Sequence, residues 1–272
     1  MKLKAGCQGW NYTDWVSKPG GEYIFFPEGT AQKETLPLYS EIFDTVEIDS
    51  TFYAIPEEST FLSWYARASE GFLFSPKMPG EITHSLRLSP ESYEPLDVFC
   101  DRAMLLKEKL GIILIQLPPS FSADRENARR LREFLRRLPR EIRFAVEFRD
   151  ESWLVDWTLD ELHANGVSLC AVEGEWVGRE SMLAAAERDE EIPLYVRFMG
   201  PRDIDRFDRV RRPRDAVIAE WHRRLSGTGR EIFAYFNNLF EGFAPASVNK
   251  LLALNGELPA DPTILRRQGN LF

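Results

Sequence analysis

The sequence predicts an α/β protein: a (β/α)8 barrel of TIM type, built as a single domain with a C-terminal tail. Three observations predict it. Eight short apolar runs alternate with longer amphipathic segments. Nearly every apolar run finishes on a polar or charged residue, as barrel strands do where they reach the rim that carries the site. The length, 272 residues, suits one barrel. An open doubly wound sheet is the competing architecture, but no G-x-G-x-x-G or Walker loop marks a switch point. The barrel is assigned to residues 1–255 and the tail to 256–272.

In chain order the candidate strands are "LKAGCQ", "TVEID", "FLFS", "IILIQL", "FAVEF", "SLCAV", "LYVRF" and "IFAYF". The clearest helical segments between them are "STFLSWYARAS", "LDVFCDRAMLLKEKL", "RENARRLREFLRRL", "WTLDELHANG" and "DAVIAEWHRRLSG". In the third of these, Leu131, Phe134, Leu135 and Leu138 form one apolar stripe opposite the arginines. Gly166 stands where a helix stops and a strand begins. Asp150 and Ser152 are candidate N-caps. The Pro-, Ser- and Glu-rich segment "KMPGEITHSLRLSPESYEP" follows the third strand and is a candidate lid.

Composition narrows the function. A formal net charge of −9 disfavours broad, sequence-independent nucleic-acid binding, which needs a basic face, though a local basic groove is compatible with it. Cys7, Cys100 and Cys170 are far apart with no C-x-x-C pair, so a reducing cytoplasm is expected. The N-terminus lacks a signal peptide's apolar stretch, and no apolar run is long enough to span a membrane.

Strand side chains alternate, so residues two apart share a face. Glu47 and Asp49 share one face of the second strand, and Glu147 and Arg149 one face of the fifth. The other strands deliver Gln8 and Trp10, Lys77, Gln116, Glu173, Arg197, and Asn237 with Asn238. A charge in an apolar interior is costly unless paired, so a ring of such groups points to a shared pocket. The near balance of the charges suggests internal pairing around a polar ligand, or a ligand with an anionic group. Close packing would also push carboxylate pKa values apart. Among the aromatics, Trp10 and Tyr53 follow strand ends and are the better stacking candidates, whereas Trp64 and Trp153 read as core.

At these segments the sequence resembles the YecE-like family, a domain of unknown function. The residues that carry the resemblance are "GCQGWNYTDW", "FDTVEIDSTFYAIP", "FLFSPKMPGEITH", "IILIQLPPSF", "FAVEFRDESW", "YVRFMG" and "FNNLFEGFAP". They span nearly the whole chain to about Pro245. The resemblance implies a parallel eight-stranded barrel and no established reaction. It implies that Glu47, Asp49, Thr51, Tyr53, Lys77, His84, Gln116, Glu147, Arg149, Arg197, Asn237 and Asn238 sit at family positions, with Glu173 at an acidic one. Family members often carry histidine where this chain has Asp150, Met199 and Phe243. Of that set only His84 remains, so a mechanism needing a histidine at the seventh or eighth strand is not expected.

Four chemistries fit such a rim. Two carboxylates across a pocket can cleave a glycosidic bond. Glu47, Glu147 and Glu173, with Asp49 or His84, can hold Mg²⁺ or Mn²⁺, although the cations of the ring oppose a divalent ion; the few histidines disfavour zinc. Lys77, Arg149 and Arg197 can clamp a phosphate or carboxylate. The pocket can also bind without turnover. The expectation is an enzyme, hydrolytic, acting on a phosphate- or nucleotide-like substrate through Glu47, Lys77, Glu147 and Arg149. Gln8, Trp10, Asp49, Tyr53, His84, Gln116, Glu173, Arg197, Asn237 and Asn238 are expected to bind substrate. The alternative is a non-catalytic adaptor.

The alternative rests on the tail. "QGNLF" matches the Gln-x-x-Leu-Phe pattern of peptides that dock on the bacterial sliding clamp, with Gln268, Leu271 and Phe272 as the anchors. Pro259 and Pro262 disfavour regular structure before it. The rival is a tail folded back, with Ile264, Leu265, Leu271 and Phe272 covering a barrel end.

Overall fold

The computed structural model describes residues 2–188 and 191–267. Its eight strands are β1 (Lys2–Gln8), β2 (Thr45–Ile48), β3 (Leu73–Pro76), β4 (Ile112–Gln116), β5 (Arg143–Glu147), β6 (Ser168–Glu173), β7 (Leu194–Phe198) and β8 (Glu231–Phe236). They pair in parallel in the order β3-β2-β1-β8-β7-β6-β5-β4. The remaining seam, between β3 and β4, is joined by single bridges from Phe74 to Leu110 and from Lys77 to Leu114. There the Gly111 N–H donates to the Phe74 carbonyl at 2.7 Å and the Met78 N–H to the Leu114 carbonyl at 2.8 Å. A Cβ on Gly111 would stand 2.8 Å from Ser75 Oγ and 2.9 Å from the Phe74 carbonyl oxygen, so the approach needs glycine. The sheet is thus a nearly closed barrel with helices between its strands, as predicted.

The helices are α1 (Thr35–Ser40), α2 (Glu58–Arg67), α3 (Tyr93–Ala103), α4 (Arg125–Arg137), α5 (Asp156–Ala164), α6 (Arg179–Ala186), α7 (Asp215–Leu225), α8 (Asn238–Glu241) and α9 (Ala244–Leu254). On α4 the stripe Leu131, Phe134 and Leu135 is buried, and Asp124 caps the helix by accepting from the Asn127 N–H at 2.8 Å. Asp150 accepts from the Ser152 N–H at 3.0 Å and starts the turn Glu151–Trp153. Gly166 follows α5 with φ +67°. The long helix expected over "LDVFCDRAMLLKEKL" breaks instead. It continues past α3 as a 3₁₀ stretch, Met104–Lys109, in which Lys107 has φ 51°. Among the described residues, no helix is long and apolar enough to cross a membrane.

Alternation along the strands sorts the side chains. Leu3, Ala5, Cys7, Val46, Ile48, Phe74, Ile113, Ile115, Phe144, Val146, Val196, Phe198 and Phe236 face the helices and form the main core. Ile112, Leu114, Ala145, Cys170, Val172, Tyr195, Phe233 and Tyr235 form a second cluster that fills the barrel axis. Tyr235 Oη lies 2.7 Å from Thr45 Oγ1 and 2.8 Å from Ser75 Oγ, which satisfies its hydroxyl inside that plug.

The candidate lid is a packed segment. Met78, Ile82, Thr83 and Leu88 are buried, and Glu81–Ser85 forms one π-helical turn. Arg87 ties it to the β4–α4 loop, donating from Nη1 to Ser120 Oγ at 2.9 Å. The tail is partly folded back. Leu265 is buried, Asn249 exchanges two 2.9 Å hydrogen bonds with the Ala260 backbone, and Tyr23 Oη donates to the Pro262 carbonyl at 2.8 Å. Gln268, Leu271 and Phe272 lie outside the described residues.

Candidate functional site at the C-terminal rim

At the C-terminal ends of the strands lies a cavity of about 760 Å³. It is lined by Asp49, Phe52, Tyr53, Lys77, His84, Gln116, Glu147, Arg149, Trp176, Arg197, Arg202 and Asn237, among others. β-register sets the level of its floor, since Gln8 stands beside Glu47 and Gln116 beside Glu147.

Arg197 of β7 organises that floor. Its Nη2 donates to Glu47 Oε1 at 2.7 Å and its Nε to Glu47 Oε2 at 2.9 Å, a bidentate pair. Tyr195 Oη also donates to Glu47 Oε2, at 2.7 Å. The other guanidinium nitrogen, Nη1, donates to Glu147 Oε2 at 2.5 Å. Glu147 Oε1 in turn accepts from Arg149 Nε at 2.7 Å, and Gln116 Oε1 from Arg149 Nη2 at 2.8 Å. Arg197, Glu47 and Glu147 are all buried.

The two glutamates end up with opposite proton affinities. Burial raises Glu47 to about 7, because Arg197 opposes that effect only in part and the Asp49 carboxylate adds to it. Burial also raises Glu147, but Arg197, Arg149 and Lys77 outweigh it and hold the carboxyl down to about 2. Glu47 does not line the cavity; it holds Arg197 from below.

Lys77 and His84 complete one wall. Lys77 Nζ is 3.8 Å from Asp49 Oδ1, too far for a hydrogen bond, and 4.1 Å from the centre of the Phe52 ring. Burial and the neighbouring Arg197 lower its pKa. His84 packs edge-on to Phe52 at 4.9 Å, and its Nδ1 is 2.9 Å from Thr83 Oγ1. That hydroxyl donates to the Pro79 carbonyl at 3.3 Å, so it accepts from Nδ1–H and leaves Nε2 with the lone pair. Burial, Lys77 and Arg149 lower the His84 pKa to about 4.

Besides Glu47, four of the residues expected from the sequence do not line the cavity: Glu173, Trp10, Asn238 and Gln8. Glu173 is on the helix-facing side of β6, because Cys170 and Val172 take the inward parity. It accepts from Arg179 Nε and Nη2 at 2.7 Å each, from Arg214 Nη2 at 3.0 Å and from Trp221 Nε1 at 2.9 Å, and so pins α6 and α7 to β6. Trp10 packs against Trp64 and Phe74 at 6.0 and 6.4 Å and does not line the cavity. Asn238 is buried at the start of α8, its Oδ1 accepting from the Ala244 N–H at 2.9 Å. Gln8 supports the wall from behind: its Oε1 accepts from Asn237 Nδ2 at 2.8 Å and its Nε2 lies 3.1 Å from Met199 Sδ. Among the described residues no group of three His, Cys, Asp or Glu side chains is placed to hold a metal ion.

Tyr195, Trp176 and Arg202 were not singled out from sequence. Tyr195 precedes Arg197 by two, so strand parity already put it on the same face. Trp176 and Arg202 lie in the loops after β6 and β7, where no periodicity marks direction.

The model of a family described as "Protein of unknown function DUF72" matches residues 4–268. The chain belongs to the DUF72 family. Among relatives, it is 27% identical over 272 residues to the UPF0759 protein YunF of Bacillus subtilis, covering 92% of this chain and 93% of that one. It is 26% identical over 226 residues to the UPF0759 protein YecE of Escherichia coli, covering 74% and 82%. Two solved DUF72 structures share the fold. The Thermotoga maritima protein TM1631 aligns with TM-score 0.72 at 24% identity over 94% of this chain and 100% of that one. The Enterococcus faecalis protein EF0366 aligns with TM-score 0.72 at 19% identity over 93% and 95%. The YecE-like resemblance and the barrel are thereby both established.

Proposed function

We propose that this DUF72 protein is an enzyme whose rim cavity binds a small anionic substrate of phosphate- or nucleotide-like character. One observation carries the reading. Arg197 is neutralised by Glu47 and Glu147, whereas Lys77, which lines the same cavity, makes no hydrogen bond to a carboxylate, its nearest being Asp49 at 3.8 Å, and Arg149 beside it is bonded through Nε and Nη2 only, among the described residues. An anionic group would supply the missing acceptors, with Arg149 held rigidly by Glu147 and Gln116. Trp176 flanks Arg149, the guanidinium carbon 5.7 Å from its ring centre, and offers a face to a base or an apolar body.

Hydrolysis is the reaction this wall serves. His84, neutral at pH 7 with a lone pair on Nε2, is the cavity group that can accept a proton from water, as a weak base. Glu147 is tied to Arg197 and Arg149, and Glu47 does not line the cavity. The test is a hydrolysis screen over phosphate esters and nucleotides with the wild-type chain and His84→Gln. Turnover lost in the variant, with inorganic phosphate still bound, supports the assignment. Phosphate binding without turnover in either form favours a binding protein.

The adaptor reading rests on the "QGNLF" motif alone, since the anchoring of Ala260 and Leu265 to the barrel favours the folded-back rival for the segment before it. Titration calorimetry of the full chain against a bacterial sliding clamp, beside a chain ending at Arg267, tests it. Binding lost on truncation supports the reading, and no binding by the full chain removes it.

A further inference from the structure

We propose that Lys77 is a nucleophilic amine that forms an imine with a small aldehyde or ketone carrying a phosphate or carboxylate group. The proposal rests on the anion-binding part of the reading above and not on hydrolysis as the reaction.

The position of Lys77 is tightly set. Its peptide N–H donates to the Ile48 carbonyl at 3.1 Å, its own carbonyl accepts from Thr51 Oγ1 at 2.6 Å, and it bridges the barrel seam to Leu114. The side chain is 10% exposed, and that exposure opens into the cavity. A buried lysine kept only for structure looks different in this same protein. Lys109 is equally enclosed, and its Nζ donates to the Tyr65 and Ala68 carbonyls at 2.8 and 2.7 Å. Lys77 Nζ has instead one carboxylate at 3.8 Å and an aromatic face.

Its surroundings favour the free amine. Arg197 and Arg149 share its cavity, and the glutamates that would offset them are bonded to the guanidiniums. Asp49, Glu147 and Glu47 pull the other way, and burial with Arg197 outweighs them, so the ammonium loses its proton more readily than an exposed lysine does. A desolvated amine beside other cations is the arrangement that activates lysine toward carbonyls.

The step balances without any further reagent. The Nζ lone pair attacks the carbonyl carbon, a C–N bond forms, and the π pair moves to oxygen, which takes up a proton. The carbinolamine hydroxyl then takes up a second proton, from solvent water through Asp49, and leaves as water while the nitrogen pair forms C=N, giving the iminium. Asp49, at 3.8 Å and 38% exposed, is placed to carry protons between Nζ and that oxygen. Arg149 would hold the substrate's anionic group and orient the carbonyl. The iminium so formed withdraws electrons from the adjacent carbon, which activates its C–H or C–C bond.

The experiment is reductive trapping. The full chain is incubated at pH 7 with glycolaldehyde phosphate and cyanoborohydride, and the adducts on its eight lysines are mapped by peptide mass spectrometry. Lys77 is expected to label several-fold faster than any other lysine. Excess inorganic phosphate should slow it, neutral glycolaldehyde should label it less selectively, and Lys77→Arg should remove the adduct. Labelling of Lys77 at or below the rate of the exposed lysines overturns the inference. A parallel calorimetric titration with inorganic phosphate separates the two ideas: phosphate binding without selective labelling leaves the anion site standing and the imine refuted.

Discussion

The guanidinium of Arg197 and the carboxylate of Glu47 meet in two parallel hydrogen bonds of 2.7 and 2.9 Å, and both side chains are sealed from solvent. Arg197 also reaches Glu147, so one cation satisfies two buried carboxylates from strands on different sides of the barrel. Removing it strands both. Arg197→Met is expected to cost about 3–5 kcal/mol in urea denaturation, the usual penalty for breaking a buried pair by one partner. Glu47→Gln should cost less, because the amide keeps its size and one acceptor. A loss below about 1 kcal/mol for Arg197→Met would refute this account.

The two glutamates should give stability opposite dependences on pH. Glu147 has a folded pKa of about 2, below the ordinary 4.5, so its contribution is present above 4.5 and lost as pH falls toward 2. Glu47 has a folded pKa of about 7, so its contribution is full below 4.5 and fades as pH rises through 7. Denaturation midpoints of Glu47→Gln should therefore vary less between pH 4.5 and 7 than those of the wild type. Identical profiles would show that Glu47 does not hold a proton in that range.

His84 should titrate far below an ordinary histidine. Its folded pKa of about 4 lies under the usual 6.5, so stability from this group is present above 6.5 and falls as pH drops toward 4. Long-range ¹H–¹⁵N spectra resolve the three histidines, and His84 should keep a neutral, Nδ1-protonated ring at pH 5.5. An imidazolium spectrum at that pH would remove His84 as the base.

Anion binding should depend on Arg149 and be visible at Trp176. Arg149→Met removes a charge-assisted donor, and phosphate affinity should fall about tenfold or more in calorimetry. Trp176 is 52% exposed beside Arg149, whereas Trp15, Trp153 and Trp221 are buried. Phosphate should change the red-edge tryptophan emission of the wild type, and Trp176→Phe should abolish that change. Unaltered affinity in Arg149→Met would place the anion elsewhere.

Much of the site was legible because a parallel barrel turns strand ends into one rim. Once eight runs were recognised, their terminal polar residues had to converge, and Asp49, Lys77, Gln116, Glu147, Arg149, Arg197 and Asn237 do so. Glu173 failed for a definite reason. "SLCAV" is apolar on both faces, so nothing in it marks which parity points inward, and the residue that looked like a rim acid is a helix anchor. Trp10 failed because a residue just beyond a strand end can turn back onto the core, here toward Trp64.

The architecture and the set of charges could be read from the chain alone, since periodicity and strand-end polarity are local properties. The pairing of those charges could not. Three cations and three carboxylates, Lys77, Arg149 and Arg197 with Glu47, Asp49 and Glu147, balance on paper in many ways. Their pairing depends on distances across the barrel between strands far apart in the chain. Those distances commit Arg197 to Glu47 and Glu147 and leave Lys77 on the cavity wall, with Asp49 at 3.8 Å and no hydrogen bond to it.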